Sequence, residues 1–199
     1  MTIFTHILQR WGILLLLSVC IAHPGIAQII NFGLYTTSNI TLTPSGTMNF
    51  NDKQPVIASN SNSTVTIALS DNAPYIEIVG DATRDITITV TAPSYAIIGA
   101  GGPGNQIPFV CQFAYSNLGS TAASAAKVNA IQIPAGFTAI TLPMLRRTSG
   151  APAPPPTPAH GGYTPPSAKV YLFLYGSLGP VGNVNAGNYT GTINVTVNY

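Results

Sequence analysis

The chain has 199 residues, 46% of them hydrophobic and only 6% charged, with seven Lys and Arg against five Asp and Glu for a formal net charge of +2. An ordinary apolar fraction with so little charge argues against charge-driven disorder. With no basic cluster larger than Arg146-Arg147 and only two cysteines, a nucleic-acid binder and a disulfide scaffold are both excluded as expectations.

The first residues read as an export signal. A lead carrying Arg10 precedes the apolar run Trp11 to Ala22, and Pro24, Gly25 and Ala27 follow in a small-residue pattern. The run is about twelve residues, too short for the roughly 20 of a membrane-spanning helix. Cleavage after Ala27 is expected, so 1–27 is a signal peptide and 28–199 a single domain. A retained short anchor and a lipid-bearing Cys20 are the alternatives. After cleavage only Cys111 and His160 remain of their kinds. An intrachain disulfide is then excluded, and Cys111, inside Phe109-Val110-Cys111-Gln112-Phe113, is expected to be a buried small hydrophobe.

From residue 28 onward the dominant signal is period-2 alternation, the mark of half-buried strands. Ile30, Phe32 and Leu34 alternate with Asn31, Gly33 and Tyr35. Ile40 and Leu42 follow, then Val65, Ile67 and Leu69, then Ile86, Ile88 and Val90 between threonines. Turn signals separate these runs: Pro44-Ser45-Gly46, Ser59 to Asn62, Asp71-Asn72, Gly99 to Gly104, Pro134-Ala135-Gly136 and Gly179 to Asn183. Thr121 to Val128 suits two helical turns and is the only helical candidate. Gly150 to Pro166 holds seven of the 17 prolines, which excludes a central strand and predicts a loop inserted within the domain. Val170 to Tyr175 is apolar on both faces. It predicts a central strand covered on both sides, or else an aromatic stripe of Tyr171, Phe173 and Tyr175 open to a ligand. The clearest alternation ends the chain: Tyr189, Gly191, Ile193, Val195, Val197 and Tyr199 face one way.

Many short strands joined by polar turns predict an all-β fold, an antiparallel β-sandwich, with a barrel as the runner-up. An outer-membrane barrel fits less well, because its strands need about 9–11 residues.

Chemistry is sparse. His160 sits in the Pro/Gly loop, a poor place to hold a proton acceptor in position. The acids Asp52, Asp71, Glu77, Asp81 and Asp85 are spread out. Asp71, Asp81 and Asp85 read as turn residues. The glycines of Gly99 to Gly104 are followed by no Lys-Ser/Thr, so that run is a turn rather than a phosphate loop. The Asn-x-Ser/Thr triplets at Asn39, Asn62, Asn188 and Asn194 matter only in a eukaryotic secretory pathway. No catalytic residue, cofactor or metal site is expected, and the chain reads as a non-enzyme.

The C-terminal run Ala186-Gly187-Asn188-Tyr189-Thr190-Gly191-Thr192-Ile193-Asn194-Val195-Thr196-Val197-Asn198-Tyr199 resembles the closing motif of an exported bacterial family, domain of unknown function 4402. Asn31-Phe32-Gly33 is similar to that family's opening strand. The wider group includes spore coat protein U-like and fimbrial-subunit-like domains. The resemblance implies an immunoglobulin-like sandwich exported to the periplasm, outer surface or medium, with no catalytic residue. The Pro-rich insertion departs from the pattern.

Two functions follow as expectations. One is a structural or adhesive surface subunit, fimbria-like, in which Ile29 to Leu34 is exchanged between copies; the alternative for this segment, and the favoured one, is that Ile30, Phe32 and Leu34 form the domain's own first strand. Its partners are other copies or related subunits and a periplasmic chaperone. The other is a secreted, non-catalytic glycan- or peptide-binding module using Tyr163, Tyr171 or Tyr175.

Overall fold

Threonine on one face and a branched aliphatic on the other is a pattern that a pleated, half-buried ribbon satisfies, and ten strands form among the described residues. The computed structural model describes residues 40–54, 60–147 and 166–199. They all lie in the compact unit Leu34–Tyr199. In chain order the elements are β1 Thr41–Ser45, β2 Val65–Ile67, β3 Tyr75–Asp81, β4 Asp85–Thr91, β5 Tyr95–Ile97 and β6 Gln106–Ser116. They continue with the helix α1 Ala123–Val128, β7 Ile131–Gln132, β8 Ala139–Pro143, β9 Ser167–Leu178 and β10 Asn194–Asn198. A 3-10 turn, Phe50–Asp52, follows β1.

The strands form an antiparallel sandwich, as expected. The larger sheet runs β1-β3-β9-β6-β5, with β2 also on β9 and β7 also on β6; the smaller runs β10-β4-β8. The sheets meet over one apolar core. Ile78, Val170, Leu172, Leu174 and Phe113 come from the larger sheet, and Ile86, Ile88, Val90 and Leu142 from the smaller. The threonines of β4 take its outer face, where Thr87 Oγ1 lies 2.9 Å from Thr141 Oγ1 of β8.

The central strand β9 is covered on both sides. Ala168, Val170, Leu172 and Leu174 enter the intersheet core. On the other face Tyr171 and Phe173 pack under Ala126 of α1, and Tyr175 packs with Ile67 and Ala114. Tyr171 is 2% and Tyr175 6% exposed, so the aromatic stripe is interior and no platform for a ligand. Each such ring contributes about 1.5–3 kcal/mol by burial. That explains why a strand with no polar face is stable here.

Two turn expectations differ from what forms. Pro44-Ser45 belongs to β1, whose register runs from Thr41↔Val79 to Ser45↔Tyr75, and only Gly46 turns. Proline is tolerated there because β1 is an edge strand. The closing strand is also shorter than its alternation. Only Asn194–Asn198 pairs with β4, whereas Thr190 bridges Ile97 in the larger sheet. The alternating run thus crosses from one sheet to the other, and period 2 persists across the crossing. Turns form where expected near Asp71, across Gly99 to Gly104 and at Ala135-Gly136, whereas Val181 and Gly182 pair with Ser63 and Ser61, and Ser59 lies outside the described residues. Asp81 Oδ1 accepts from Thr83 N at 2.9 Å and from Thr83 Oγ1 at 2.7 Å in the β3–β4 turn. Asp71 Oδ2 accepts from Ala68 N at 2.7 Å.

Candidate functional site

The closing motif divides between the two ends of the sandwich. At one end, Tyr199 Oη accepts a hydrogen bond from Asp81 N at 2.8 Å. The Arg84 guanidinium lies 4.9 Å from the centre of the Tyr199 ring. A Cβ on Gly80 would stand 2.7 Å from Tyr199 Oη, so glycine makes room for this contact. Between the ends, Ile193, Val195 and Val197 are half-buried against the intersheet core, at the edge of the smaller sheet.

At the other end the motif folds into a loop held by backbone bonds. Thr190 and Ile97 exchange two N–H···O bonds of 2.9 Å, and Asn185 N donates to Gly104 O at 2.8 Å. Asn185 Nδ2 donates to Asn105 Oδ1 at 2.8 Å. The Tyr189 hydroxyl donates toward Asn185 O at 2.7 Å and Gly104 O at 3.2 Å. Gly187 passes so close to the β5–β6 turn that any Cβ would collide with Ile98 Cδ1. Gly191 lies beside Pro93, whose Cγ would be 3.1 Å from an added Cβ.

This loop is one wall of a cleft of about 790 Å³. Thr47 to Asn51, following β1, form the facing wall, and Ala96, Ile107, Phe109, Leu178 and Val181 form the floor. Phe50 and Phe109 meet edge to face across it, with ring centres 6.1 Å apart. Gly187, Tyr189, Gly191 and Ile193 of the motif therefore border the cleft, while Val195, Val197 and Tyr199 do not. Phe32 and Gly33 of the opening motif lie outside the described residues, as do His160, Tyr163 and the Pro-rich segment 150–165.

Phe50, Phe109 and the amides of Asn49, Asn51 and Asn185 complete the cleft, and the sequence reading did not single them out. The available signal was amide density in Asn183-Val184-Asn185-Ala186-Gly187-Asn188, directly before the motif.

Most ionised groups pair with one another away from the cleft, whereas Asp52, beside it, accepts from Asn49 Nδ2 at 2.8 Å. Lys169 Nζ lies 2.7 Å from Glu77 Oε1, Arg147 Nη2 2.6 Å from Asp85 Oδ1, and Lys53 Nζ 2.5 Å from Asp71 Oδ1. Hydrogen bonds from Lys169 and Lys53 hold the Glu77 and Asp71 carboxyls below their ordinary ranges. Burial pushes the Tyr171 and Tyr175 phenols up, and pushes the Cys111 thiol to about 11. Cys111 is half-buried and packs against the intersheet core. Among the described residues no three His, Cys, Asp or Glu side chains converge, and no helix is long and apolar enough to cross a membrane.

The fold and cleft define an all-β sandwich with a neutral, concave end. No protein-family model, curated protein or solved structure matches the chain.

Proposed function

We propose that the protein is an exported structural or adhesive cell-surface subunit that assembles by adding a strand from one copy to the open edge of the next. The carrying observation is the edge itself. Among the described residues β10 pairs only with β4, and β1 only with β3. Tyr199 after β10 reaches Asp81 at the end of β3, and residues after β1 face residues before β10 across the cleft. Among the described residues the outer edge of β10 is therefore open. Ile193, Val195 and Val197 present a half-buried apolar face there. An unpaired edge with such a face is a template for β-augmentation.

The donor in this reading is Ile29 to Leu34, whose Ile30, Phe32 and Leu34 repeat at the matching period of two. The resemblance to fimbrial-subunit-like domains supports the same reading. It adds an immunoglobulin-like topology, a periplasmic chaperone as transient partner, and a site of action in the periplasm or at the outer surface. The apolar run at the amino terminus supports export.

The test is light scattering and electron microscopy of the protein lacking residues 1–27, at rising concentration. Oligomers or fibres are expected. Phe32→Asp is expected to abolish them while the β-type circular dichroism persists. A strictly monomeric protein at the highest attainable concentration, or assembly indifferent to Phe32→Asp, overturns the reading.

A further inference from the structure

We infer that the cleft beside Tyr189 is a binding site for an uncharged saccharide. The argument starts from charge. Tyr189 is the one lining residue with an ionisable side chain, and its hydroxyl is already directed at the Asn185 and Gly104 carbonyls. A phosphate or carboxylate would leave water here without meeting an opposite charge, which costs more than the site returns. The volume, about 790 Å³, falls within the roughly 300–1,000 Å³ of ligand sites.

The lining is amphipathic in the way a sugar ring is. Ile107, Phe109, Leu178 and Val181 make an apolar floor, and Phe50 meets Phe109 edge to face. Around the mouth stand Thr47, Asn51, Asn188 and Thr190, all exposed. No side-chain hydrogen bond engages these four among the described residues, so their amides and hydroxyls are available to a ligand. A carbohydrate sets its C–H face on aromatic carbon and turns its hydroxyls to amides and alcohols. The rim supplies both donors and acceptors.

A peptide fits less well. An extended peptide is held mainly by main-chain bonds to a strand edge. At this cleft those bonds are used internally: Thr190 with Ile97, Asn185 N with Gly104 O, and Val181 N with Ser63 O. The site thus replaces Tyr171 and Tyr175 as the place for glycan recognition, and it does not depend on strand exchange.

The test is an array of neutral and anionic oligosaccharides probed with the protein lacking residues 1–27, made in bacteria so that Asn188 carries no glycan. Calorimetry on the hits follows. Asn51→Ala and Asn188→Ala remove exposed amides with no fold partner, so the thermal midpoint should not move. Each is expected to weaken binding of a neutral hit about three- to tenfold, as loss of a neutral hydrogen bond does, and the affinity should be insensitive to salt. Asn72→Ala, an exposed amide in another turn, is expected to leave affinity unchanged. Binding to no neutral oligosaccharide, preference for anionic ones, or equal affinity in the wild type and both cleft variants overturns the inference. So does a synthetic Ile29–Tyr35 peptide that perturbs the cleft amides by NMR while no neutral sugar does. Assembly of Phe32→Asp is scored separately, so failure of one reading leaves the other standing.

Discussion

Tyr199 and Tyr189 come from one alternating run, yet they finish opposite ends of the sandwich in different ways. Tyr199 accepts the N–H of Asp81, a residue only 7% exposed, and its ring lies beneath Arg84. Tyr189 donates to the carbonyls of exposed Asn185 and half-buried Gly104 and borders an open cleft. One phenol satisfies a buried donor, whereas the other pins a loop. An acceptor supplied to a buried N–H is hard to replace, because water does not reach the orphaned group. A donor supplied to a solvent-facing carbonyl is easily replaced by water. The first end is therefore built for stability and the second for shape.

The largest test of that contrast is truncation. Tyr199→Ala removes the ring, the cation–π contact and the acceptor for Asp81 N. It should lower unfolding free energy by about 2–4 kcal/mol, against roughly 1–2 kcal/mol for Tyr189→Ala. The phenylalanine variants isolate the hydroxyls: about 1–3 kcal/mol is expected for Tyr199→Phe and under about 1 kcal/mol for Tyr189→Phe. Urea titration of all four decides the matter, and equal losses at both ends would remove the distinction.

A smaller effect tests the room that Gly80 provides. Gly80→Ala brings a Cβ to 2.7 Å from Tyr199 Oη and 3.3 Å from Met144 Cε. A cost of about 1–2 kcal/mol is expected. It should shrink in the Tyr199→Phe background, where the obstructing oxygen is gone, giving a coupling of about 0.5–1 kcal/mol in a double-mutant cycle. Gly187→Ala meets only the end of the Ile98 side chain, so its main effect should be on the cleft.

The smallest effect concerns pH and lies away from both ends. Glu77 of β3 accepts from Lys169 at 2.7 Å and from the Tyr171 hydroxyl at 3.1 Å, joining β3 to β9. Its folded pKa is depressed below 4.5, mainly by the Lys169 hydrogen bond. Its contribution is therefore present above the unfolded value and lost as pH falls through the folded one. The Lys169 and Glu77 side chains are 42% and 25% exposed, so solvent screening keeps the effect to roughly 0.2–1 kcal/mol. Glu77→Gln should flatten that part of the stability profile below about pH 4.5 without altering the Tyr199–Tyr189 difference.

The sequence carried the sandwich because a threonine–aliphatic alternation has one structural solution. Ile86-Thr87-Ile88-Thr89-Val90 became β4 with its aliphatics inside, and the two-sided apolar Val170 to Tyr175 became the central strand. β3 was harder to read. Its Tyr75, Ile76 and Glu77 are all half-buried, because this strand packs on β9 with a charged group inside the pattern, and alternation fades when both faces are partly covered. Of the cleft only the motif residues Gly187, Tyr189, Gly191 and Ile193 were legible. Its walls come from residues 47–51 and 184–193, and no local period reports which distant loops will face each other. Nor could alternation reveal that Thr190 and Asn194 belong to different sheets, since period 2 describes the ribbon and is silent about its partner.

The order in which strands meet has a consequence for timing. β9 is the shared partner of β2, β3 and β6, yet it is the ninth strand to leave the ribosome. Until residue 178 emerges, the larger sheet has among its described strands only its flanks, β1 with β3 and β6 with β5 and β7. Contacts so distant along the chain form slowly. A nascent polypeptide of this design stays threadable almost to its last residue and acquires its shape in a late, concerted step, the state in which a narrow translocation channel accepts a substrate.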